Sequence, residues 1–211
     1  MNITLNDEYL MGLLAADGSQ KRYTTKSGEV HISMTLELKD REILSKITSF
    51  TGNEVHSRVR NNKYTLYYIT IPYKYLGDKG KYFDKKRTGI FDYYQKCSNK
   101  LDFIRGLFDG DGGICKRQRS KDQKDYWSIY FVVNSTQQEI KDILDDFSKE
   151  FNFNFSIYYD KRGIGCYNYN ISKKSEIERF YKMLYKNKPN LYLERKYLEF
   201  LNSGCPKMET F

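Results

Sequence analysis

The sequence predicts an α+β fold made of two pseudo-symmetric αββαββα repeats. A ten-residue motif occurs twice, as YLMGLLAADG over residues 9–18 and as FIRGLFDGDG over residues 103–112, and such self-similarity indicates duplicated structural units. The same order of hydrophobic patterns follows each copy. Pro is scarce, with three residues in 211, and no Ser/Gly-rich linker separates the copies, so we expect one body. The predicted repeats are residues 1–96 and residues 97–211.

Each copy of the motif is predicted to lie at the end of a helix. In the first copy, apolar residues at helical spacing precede Gly18, and glycine favours the left-handed conformation that often ends a helix. Small residues stand four apart in both copies, at Gly12 and Ala16 and at Gly106 and Gly110. Residues at this spacing share one helix face, so the two helices are expected to approach backbone against backbone.

Asp17 and Asp111 would then lie side by side at two helix ends. Helix C-termini carry partial negative charge, and two carboxylates there repel each other unless they share a cation. Mg²⁺ takes oxygen ligands, keeps several waters and binds substrate phosphates. We therefore predict a metal site at Asp17 and Asp111, together with the preceding residues Ala16 and Gly110. One copy of the motif could be only a helix cap, but two copies in matching contexts favour a function.

The first repeat continues with alternating and helical patterns. Apolar residues at 32, 34, 36 and 38 alternate with polar ones, which predicts a strand over 29–39 with one buried face. Asp40 is expected to cap a helix that ends at Gly52. The further predicted elements are strands over 55–60 and 63–71, joined by a turn at Asn61-Asn62 and closed by Pro72, and a helix within 83–96.

The second repeat shows the same plan. Alternation over 128–134 predicts a strand, and Ser135 or Thr136 is expected to cap the helix that follows. The remaining predicted elements are strands over 153–159 and 165–171, a helix over 175–185 and a final amphipathic helix over 191–201.

The charge balance favours a polyanionic partner. The formal net charge is +9, and aromatic residues make up 16% of the chain, with 20 Tyr. Basic proteins of this kind attract nucleic acids. No run of about 18 apolar residues occurs, and the N-terminus lacks a signal-peptide pattern, so we expect a cytoplasmic protein without a membrane partner, in a bacterial, phage or organellar host.

Several site types are disfavoured by the sequence. The four cysteines form no C-x-x-C pair, which argues against a zinc ribbon or a redox motif. Two histidines are few for a His-Asn-His nuclease, and no Walker sequence indicates a nucleotide-driven helicase.

The two motifs resemble the LAGLIDADG sequences of the homing endonuclease family. The matching segments are LMGLLAADG over residues 10–18 and IRGLFDGDG over residues 104–112. The first copy departs from the family pattern, because Ala15 stands where an acidic residue is frequent. The resemblance covers the whole chain, since the element order recurs in both halves. It implies two saddle-shaped antiparallel sheets over double-stranded DNA and Mg²⁺-dependent (or Mn²⁺-dependent) cleavage of both strands of a long site, with Asp17 and Asp111 binding metal.

The resemblance also implies a basic residue in the loop after the last helix of each repeat. Lys85 and Lys86 fit this position in the first repeat, and Lys186 and Lys188 fit it in the second. We choose Lys86 and Lys188 as the candidates that assist catalysis.

Sheet faces in the major groove would contact bases and phosphates. The candidates share a position on a predicted solvent-facing strand face or in a loop beside one. In the first repeat they are Lys21, Tyr23, Thr25, His31, Ser33, Thr35, Glu37, Arg58 and Arg60, and in the second they are Arg117, Arg119, Lys121, Ser128, Tyr130, Asn134 and Lys161. For any single residue, a plain solvated sheet face is the alternative.

Three functions stay open at this point. The first is a site-specific DNA endonuclease that acts as a monomer, because one chain carries both motif copies. The second is a non-cutting binder of nucleic acid with the same fold, such as an intron-splicing maturase or a regulator. The third is a structural or protein-binding module. Retention of both aspartates favours the first over the second, and the basic composition counts against the third.

Overall fold

Both halves of the chain fold into the same order of helices and strands. The computed structural model describes residues 7–24, 26, 30–61, 63–76, 79, 82, 89–117, 126–186 and 189–203. The elements of the first half in these ranges are α1 (Asp7–Asp17), β1 (Gly18–Thr24), β2 (Val30–Leu38), α2 (Arg41–Thr51), β3 (His56–Arg60), β4 (Tyr64–Pro72), α3 (Tyr73–Leu76) and α4 (Ile90–Gln95). Those of the second half are α5 (Lys100–Asp111), β5 (Gly112–Arg117), β6 (Tyr126–Asn134), α6 (Gln138–Glu150), β7 (Ser156–Asp160), β8 (Cys166–Ile171), α7 (Lys174–Tyr185) and α8 (Glu194–Asn202).

Within the described residues, each half contributes one four-stranded antiparallel sheet. The strand orders are β1-β2-β4-β3 and β5-β6-β8-β7. The motif glycine begins the first strand of each sheet, where Gly18 pairs with Leu36 and Gly112 pairs with Phe131. The predicted α+β fold with two related repeats is thereby confirmed. Because the two registers match, each position on one sheet has a counterpart on the other.

The inner faces of both sheets and the motif helices form one hydrophobic core. Alternation places Met34 and Leu36 of β2 and Ile129 and Phe131 of β6 on these inner faces, with 2% or less of each residue exposed. The core of the second half is rich in phenylalanine rings that meet edge to face, as between Phe108 and Phe131 at 5.3 Å. The core of the first half is mainly aliphatic around α2.

The motif helices α1 and α5 touch through their backbones. A Cβ added at Gly12 would overlap the carbonyl oxygen of Phe103, and one added at Gly106 would overlap the carbonyl oxygen of Tyr9. The close approach predicted from the small residues is confirmed. Since no side chain fits at either glycine, the distance between the two helices is set by backbone contact.

The prediction that Gly18 ends α1 in the left-handed conformation is wrong. Gly18 lies outside the positive-φ region and is the first residue of β1, and Gly112 is extended, with φ −87° and ψ 176°. A Cβ at Gly18 would overlap the carbonyl of Leu14, and one at Gly112 would overlap the ring of Phe108. Lack of space beside the preceding helical turn is therefore the reason for glycine at both positions.

The start of α2 differs from its prediction, whereas its end does not. Asp40 occupies the N-cap position but makes no capping hydrogen bond. Its carboxylate instead accepts hydrogen bonds from Arg195, with N–O distances of 3.3 and 3.2 Å. Gly52 ends α2 with φ 68°, which confirms the predicted left-handed cap.

The N-cap residue of α6 is Gln137 and not Ser135 or Thr136. The predicted cap is wrong because the hydroxyl of Ser135 donates to the carbonyl of Ile164 at 2.7 Å, in the β7–β8 turn. The next strand also begins later than predicted, at Ser156. Phe153 belongs to the connection, where its ring stacks on α6.

Other contacts tie the halves together in addition to the motif helices. The backbone N–H groups of Gly89 and Phe91, at the start of α4, donate to the carboxylate of Glu139 on α6 at 2.7 to 3.0 Å. A carboxylate is favourable at this helix start because of its exposed N–H groups. The Arg195–Asp40 pair joins α8 to the start of α2. In sequence α4 belongs to the first repeat, but it packs on the second.

Candidate metal site and nucleic-acid interface

Asp17 and Asp111 are the last residues of α1 and α5, and both are half-buried. The end of α5 lies against the end of α1, so that a Cβ built at Gly110 would be 3.1 Å from Oδ2 of Asp17 and would overlap the Cβ of Ala16. Ala16 and Asp111 also line one open cleft with the β7–β8 turn. The four residues predicted to form the metal site therefore lie together.

The donor set at this point fits a hard divalent cation. Among the described residues no three His, Cys, Asp or Glu side chains converge on one point, and the motif aspartates provide two carboxylates at adjoining helix ends. Mg²⁺ is held in proteins by one or two carboxylates, with waters and substrate phosphates as the other ligands. A zinc site would require three or four side-chain ligands.

A buried lysine that the sequence analysis missed holds the end of α5. The Nζ of Lys196, on α8, donates to the carbonyls of Phe108 at 2.6 Å, Gly112 at 2.5 Å and Gly110 at 3.5 Å. Burial lowers the pKa of Lys196 to about 8, while Asp109 and both motif aspartates raise it. Its ammonium group binds carbonyls at the end of α5 and counters the negative end of the helix dipole.

A repeated pattern could have indicated this lysine. The segment Tyr82–Lys86 has the sequence YFDKK, and Tyr192–Lys196 has the sequence YLERK. Both run aromatic, apolar, acidic, basic, Lys, so Lys86 is the counterpart of Lys196. Lys86 and Lys188 lie outside the described residues, and Lys186 is exposed at the end of α7.

A second feature missed from the sequence is the buried carboxylate of Asp109. It accepts hydrogen bonds from the hydroxyls of Tyr9 at 2.9 Å and Tyr185 at 2.6 Å, and from the backbone N–H of Leu193 at 2.8 Å. Burial raises the pKa of Asp109, whereas Lys196 and the three hydrogen-bond donors lower it. Because its oxygens are already bonded on three sides, Asp109 supports the helix pair and is a poor candidate for holding a metal.

The outer face of the first sheet presents charged side chains. Lys21, Arg58 and Arg60 are exposed and Glu37 is half-buried. Arg58 forms a two-point ion pair with Glu37 across β4. Tyr68, which the sequence analysis did not select, lies between them: Nζ of Lys21 and Cζ of Arg58 are each 5.9 Å from the centre of its ring.

The outer face of the second sheet is mainly uncharged. The register places Tyr130 of β6 opposite Asn170, and Asn168 opposite Tyr158. The side-chain oxygen of Asn134 accepts hydrogen bonds from the backbone and hydroxyl of Thr136 at 3.0 and 2.9 Å, so it stabilises the turn before α6. Lys161 is exposed in the β7–β8 turn. Asn168, Asn170 and Tyr158 are further candidates that the sequence analysis missed.

Three predicted contact residues are not solvent-accessible in this structure. Ser33, Thr35 and Ser128 are only 4%, 5% and 1% exposed. They have small side chains and lie on β2 and β6, each of which is paired on both sides by another strand of its sheet. Alternation gave the correct face, but the expectation that these residues face solvent is wrong.

The other predicted contact residues are described in part or not at all. Tyr23, His31 and Arg117 lie in strands β1, β2 and β5, and only their backbones are described. The positions outside the described residues are Thr25, Arg119 and Lys121.

The second half of the chain matches a known domain family. The family model of the LAGLIDADG-like domain matches residues 98–185. No curated protein matches the sequence of the chain.

Solved structures with the same fold cover nearly the whole chain. I-SmaMI bound to uncleavable DNA is 13% identical, with a TM-score of 0.65 over 94% of this chain and 90% of that one. I-GzeII, a LAGLIDADG homing endonuclease in complex with its DNA target, is 13% identical, with a TM-score of 0.64 over 95% and 89%. The LAGLIDADG meganuclease I-AabMI bound to uncleaved DNA is 13% identical, with a TM-score of 0.62 over 94% and 90%. The resemblance inferred from the two motifs is confirmed, and the chain has the LAGLIDADG homing endonuclease fold.

No helix in the described part of the chain combines the length and the hydropathy that a transmembrane span requires.

Proposed function

We propose that the protein is a site-specific DNA endonuclease that makes a metal-dependent double-strand break in a long target. The observation that carries this proposal is the pair of motif aspartates at the ends of two helices in backbone contact. Both aspartates lie at adjoining helix ends where the two sheets begin, which supports a metal-binding position next to two extended surfaces. A protein that only binds DNA has no need of either carboxylate.

Asp17 and Asp111 would hold Mg²⁺ or Mn²⁺, with the carbonyls of Ala16 and Gly110 close by. When bound, the metal supplies a water of lowered pKa and stabilises negative charge that develops on the phosphate. Lys196 is a positioning residue in this arrangement. Its bonds to carbonyls of Phe108 and Gly112 hold the backbone on both sides of Asp111, and its charge lies close to both aspartates.

Double-stranded DNA is the proposed partner, and a monomer is the proposed active form. The two sheets have the same strand order, and a motif glycine begins the first strand of each. This equivalence supports binding of two half-sites by one chain. Net positive charge and exposed cations on the first sheet support contact with phosphates. Light scattering at micromolar concentration is expected to give the mass of one chain, and an obligate dimer would contradict this form.

Incubation of the full chain with a randomised duplex library and Mg²⁺, followed by sequencing of cut ends, tests the proposal. Paired breaks on both strands at one recurring sequence are expected, and they are expected to disappear in EDTA. Specific retention of one duplex without any cut in Mg²⁺ or Mn²⁺ would overturn the endonuclease. That result would favour the non-cutting binder, such as a maturase or a regulator.

A further inference from the structure

An exposed arginine on the first sheet is held in one orientation by a carboxylate. Arg58 lies on edge strand β3 and Glu37 on β2, with β4 between them. The guanidinium crosses β4, where its Nε donates to Oε1 of Glu37 at 2.7 Å and its Nη2 donates to Oε2. The Arg58 side chain is 57% exposed, whereas that of Glu37 is 20% exposed.

The ring of Tyr68 on β4 supports the same guanidinium. The Cζ of Arg58 is 5.9 Å from the ring centre, and Tyr68 is the register partner of Glu37. We call Glu37, Arg58 and Tyr68 the Arg58 cluster. A salt-bridged guanidinium above a ring has fewer accessible orientations than a free arginine side chain.

The geometry of the ion pair determines which hydrogens are available to a ligand. The carboxylate occupies Nε–H and one hydrogen of Nη2, so both hydrogens of Nη1 and the second hydrogen of Nη2 remain. Two of these point in parallel from the end of the guanidinium. Parallel donors at this spacing match O6 and N7 on the major-groove edge of guanine.

We propose that Arg58 recognises one guanine in the half-site beneath the first sheet and that Glu37 is the positioning residue for it. This inference rests on the proposed function, because it requires that the sheet lies in the major groove of a DNA target. A plain phosphate contact explains the cluster less well. A phosphate binds any exposed cation, and it repels the carboxylate that lies against this one.

Arg60 provides an internal comparison. It lies two residues from Arg58 on the same face of β3 and is also exposed, but within the described part of the chain it forms no ion pair. Its longer-range charge lowers the pKa of Glu37, in the same direction as the larger effect of the hydrogen bond from Arg58. A phosphate contact is the expected role of Arg60.

Selection of randomised duplexes by the full chain in Ca²⁺ tests the inference without requiring cleavage. The wild type is expected to select a guanine at one base pair beneath the first sheet. Arg58→Lys keeps the charge but cannot make two parallel hydrogen bonds, so the guanine preference is expected to fall by about 5- to 100-fold. Preferences at the other positions are expected to persist.

Glu37→Gln and Arg60→Gln complete the set. Glu37→Gln is expected to weaken the preference at that same base pair and to leave the rest of the selected sequence unchanged. Arg60→Gln is expected to lower the affinity for all duplexes by the same factor and to leave the preference for guanine unchanged. Unchanged melting temperatures would show that each variant is folded.

Retention of the full preference by Arg58→Lys would overturn the inference, and so would a wild type that selects no guanine there. Neither result concerns cleavage, which is measured separately in Mg²⁺. If the wild type cuts DNA but selects no guanine, the proposed endonuclease function stands and the inference about Arg58 is overturned. A wild type that selects the guanine but never cuts supports the inference and overturns the endonuclease.

Discussion

The two halves of the molecule are alike at the helix ends and different on the sheet faces. Asp17 and Asp111 end equivalent helices, and the strands that follow pair in the same register. On the outer faces, counterpart positions hold different chemistry: Lys21 and Cys115, Glu37 and Val132, and Tyr68 and Asn168. The two motif aspartates are symmetric whereas the outer faces differ, so we expect a target whose two half-sites differ in sequence.

Replacement of each motif aspartate tests whether the two equivalent helix ends have the same role. Asp17→Asn and Asp111→Asn are each expected to lower double-strand cleavage by at least about 10³-fold, because metal catalysis contributes several kcal/mol. Specific binding is expected to persist, because the sheet faces and phosphate contacts lie elsewhere. Gel assays on nicked and linear products would measure both variants.

The matched control is Asp92→Asn, which removes the same charge from an exposed position on α4. Loss of both cuts in each single variant would mean that the two strands share metal ligands, whereas nicking of one strand would mean that the aspartates act separately. Wild-type cleavage of both strands by either variant would refute the metal-site assignment.

Asp109 tests an asymmetry inside the helix pair. Its counterpart in the first motif is Ala15, which is fully buried. Asp109→Asn is expected to reduce the free energy of unfolding by about 3–5 kcal/mol, because Lys196 would lose its buried counter-charge. Tyr9→Phe removes one hydrogen bond to the same carboxylate and is expected to cost less. Urea unfolding would measure both, and a value for Asp109→Asn near that of the wild type would show that this carboxyl is neutral in the folded protein.

Alanine at Gly12 or Gly106 tests whether the two halves are equally sensitive to a side chain at the contact between α1 and α5. Gly12→Ala and Gly106→Ala are each expected to destabilise the fold by about 1–3 kcal/mol or more, because the new methyl group overlaps backbone of the other helix. Thermal unfolding would compare them. A cost in only one variant would show that the crossing can shift toward one half.

The smallest expected effect is on the salt dependence of DNA binding, compared between the charged outer face of the first sheet and the mainly uncharged outer face of the second. Lys21→Gln and Arg60→Gln are each expected to reduce the slope of log affinity against log salt by about 1. Asn168→Ala on the second sheet is expected to leave the slope unchanged, since no charge is removed. Titrations between 50 and 200 mM salt, where a protein that contacts 6–10 phosphates loses about 10³–10⁵ in affinity, would reveal the difference. Equal slopes for all three variants would mean that phosphate contact is not concentrated on the first sheet.

The repeat, the placement of Asp17 and Asp111 at two adjoining helix ends and most strands could be predicted because they follow from short patterns. A motif of ten residues and strict alternation need no knowledge of distant neighbours. The repeated five-residue pattern could have indicated Lys196 but not its role, because its carbonyl partners lie 84 to 88 residues away in sequence. Alternation also predicts which face a side chain takes, but not that Ser33 and Ser128 are buried on that face.

The close crossing of the two motif helices was predicted correctly, whereas the backbone conformation of the glycine that follows each helix was not. Glycine after a helix often indicates a left-handed cap, but at Gly18 it reflects lack of space against Leu14. Both explanations lead to the same residue in the sequence. Only the three-dimensional neighbours distinguish them.

The backbone contact between the motif helices limits how halves of such proteins can be exchanged. A hybrid that replaced residues 1–96 would have to bring a glycine to position 12, where any side chain meets Phe103. It would also need a hydroxyl at position 9, or Asp109 would lose one of its donors. The residues on the outer faces of the two sheets do not have to match those of the other half in this way. Recombination between related genes can therefore combine half-sites freely only among partners that share these few interior positions.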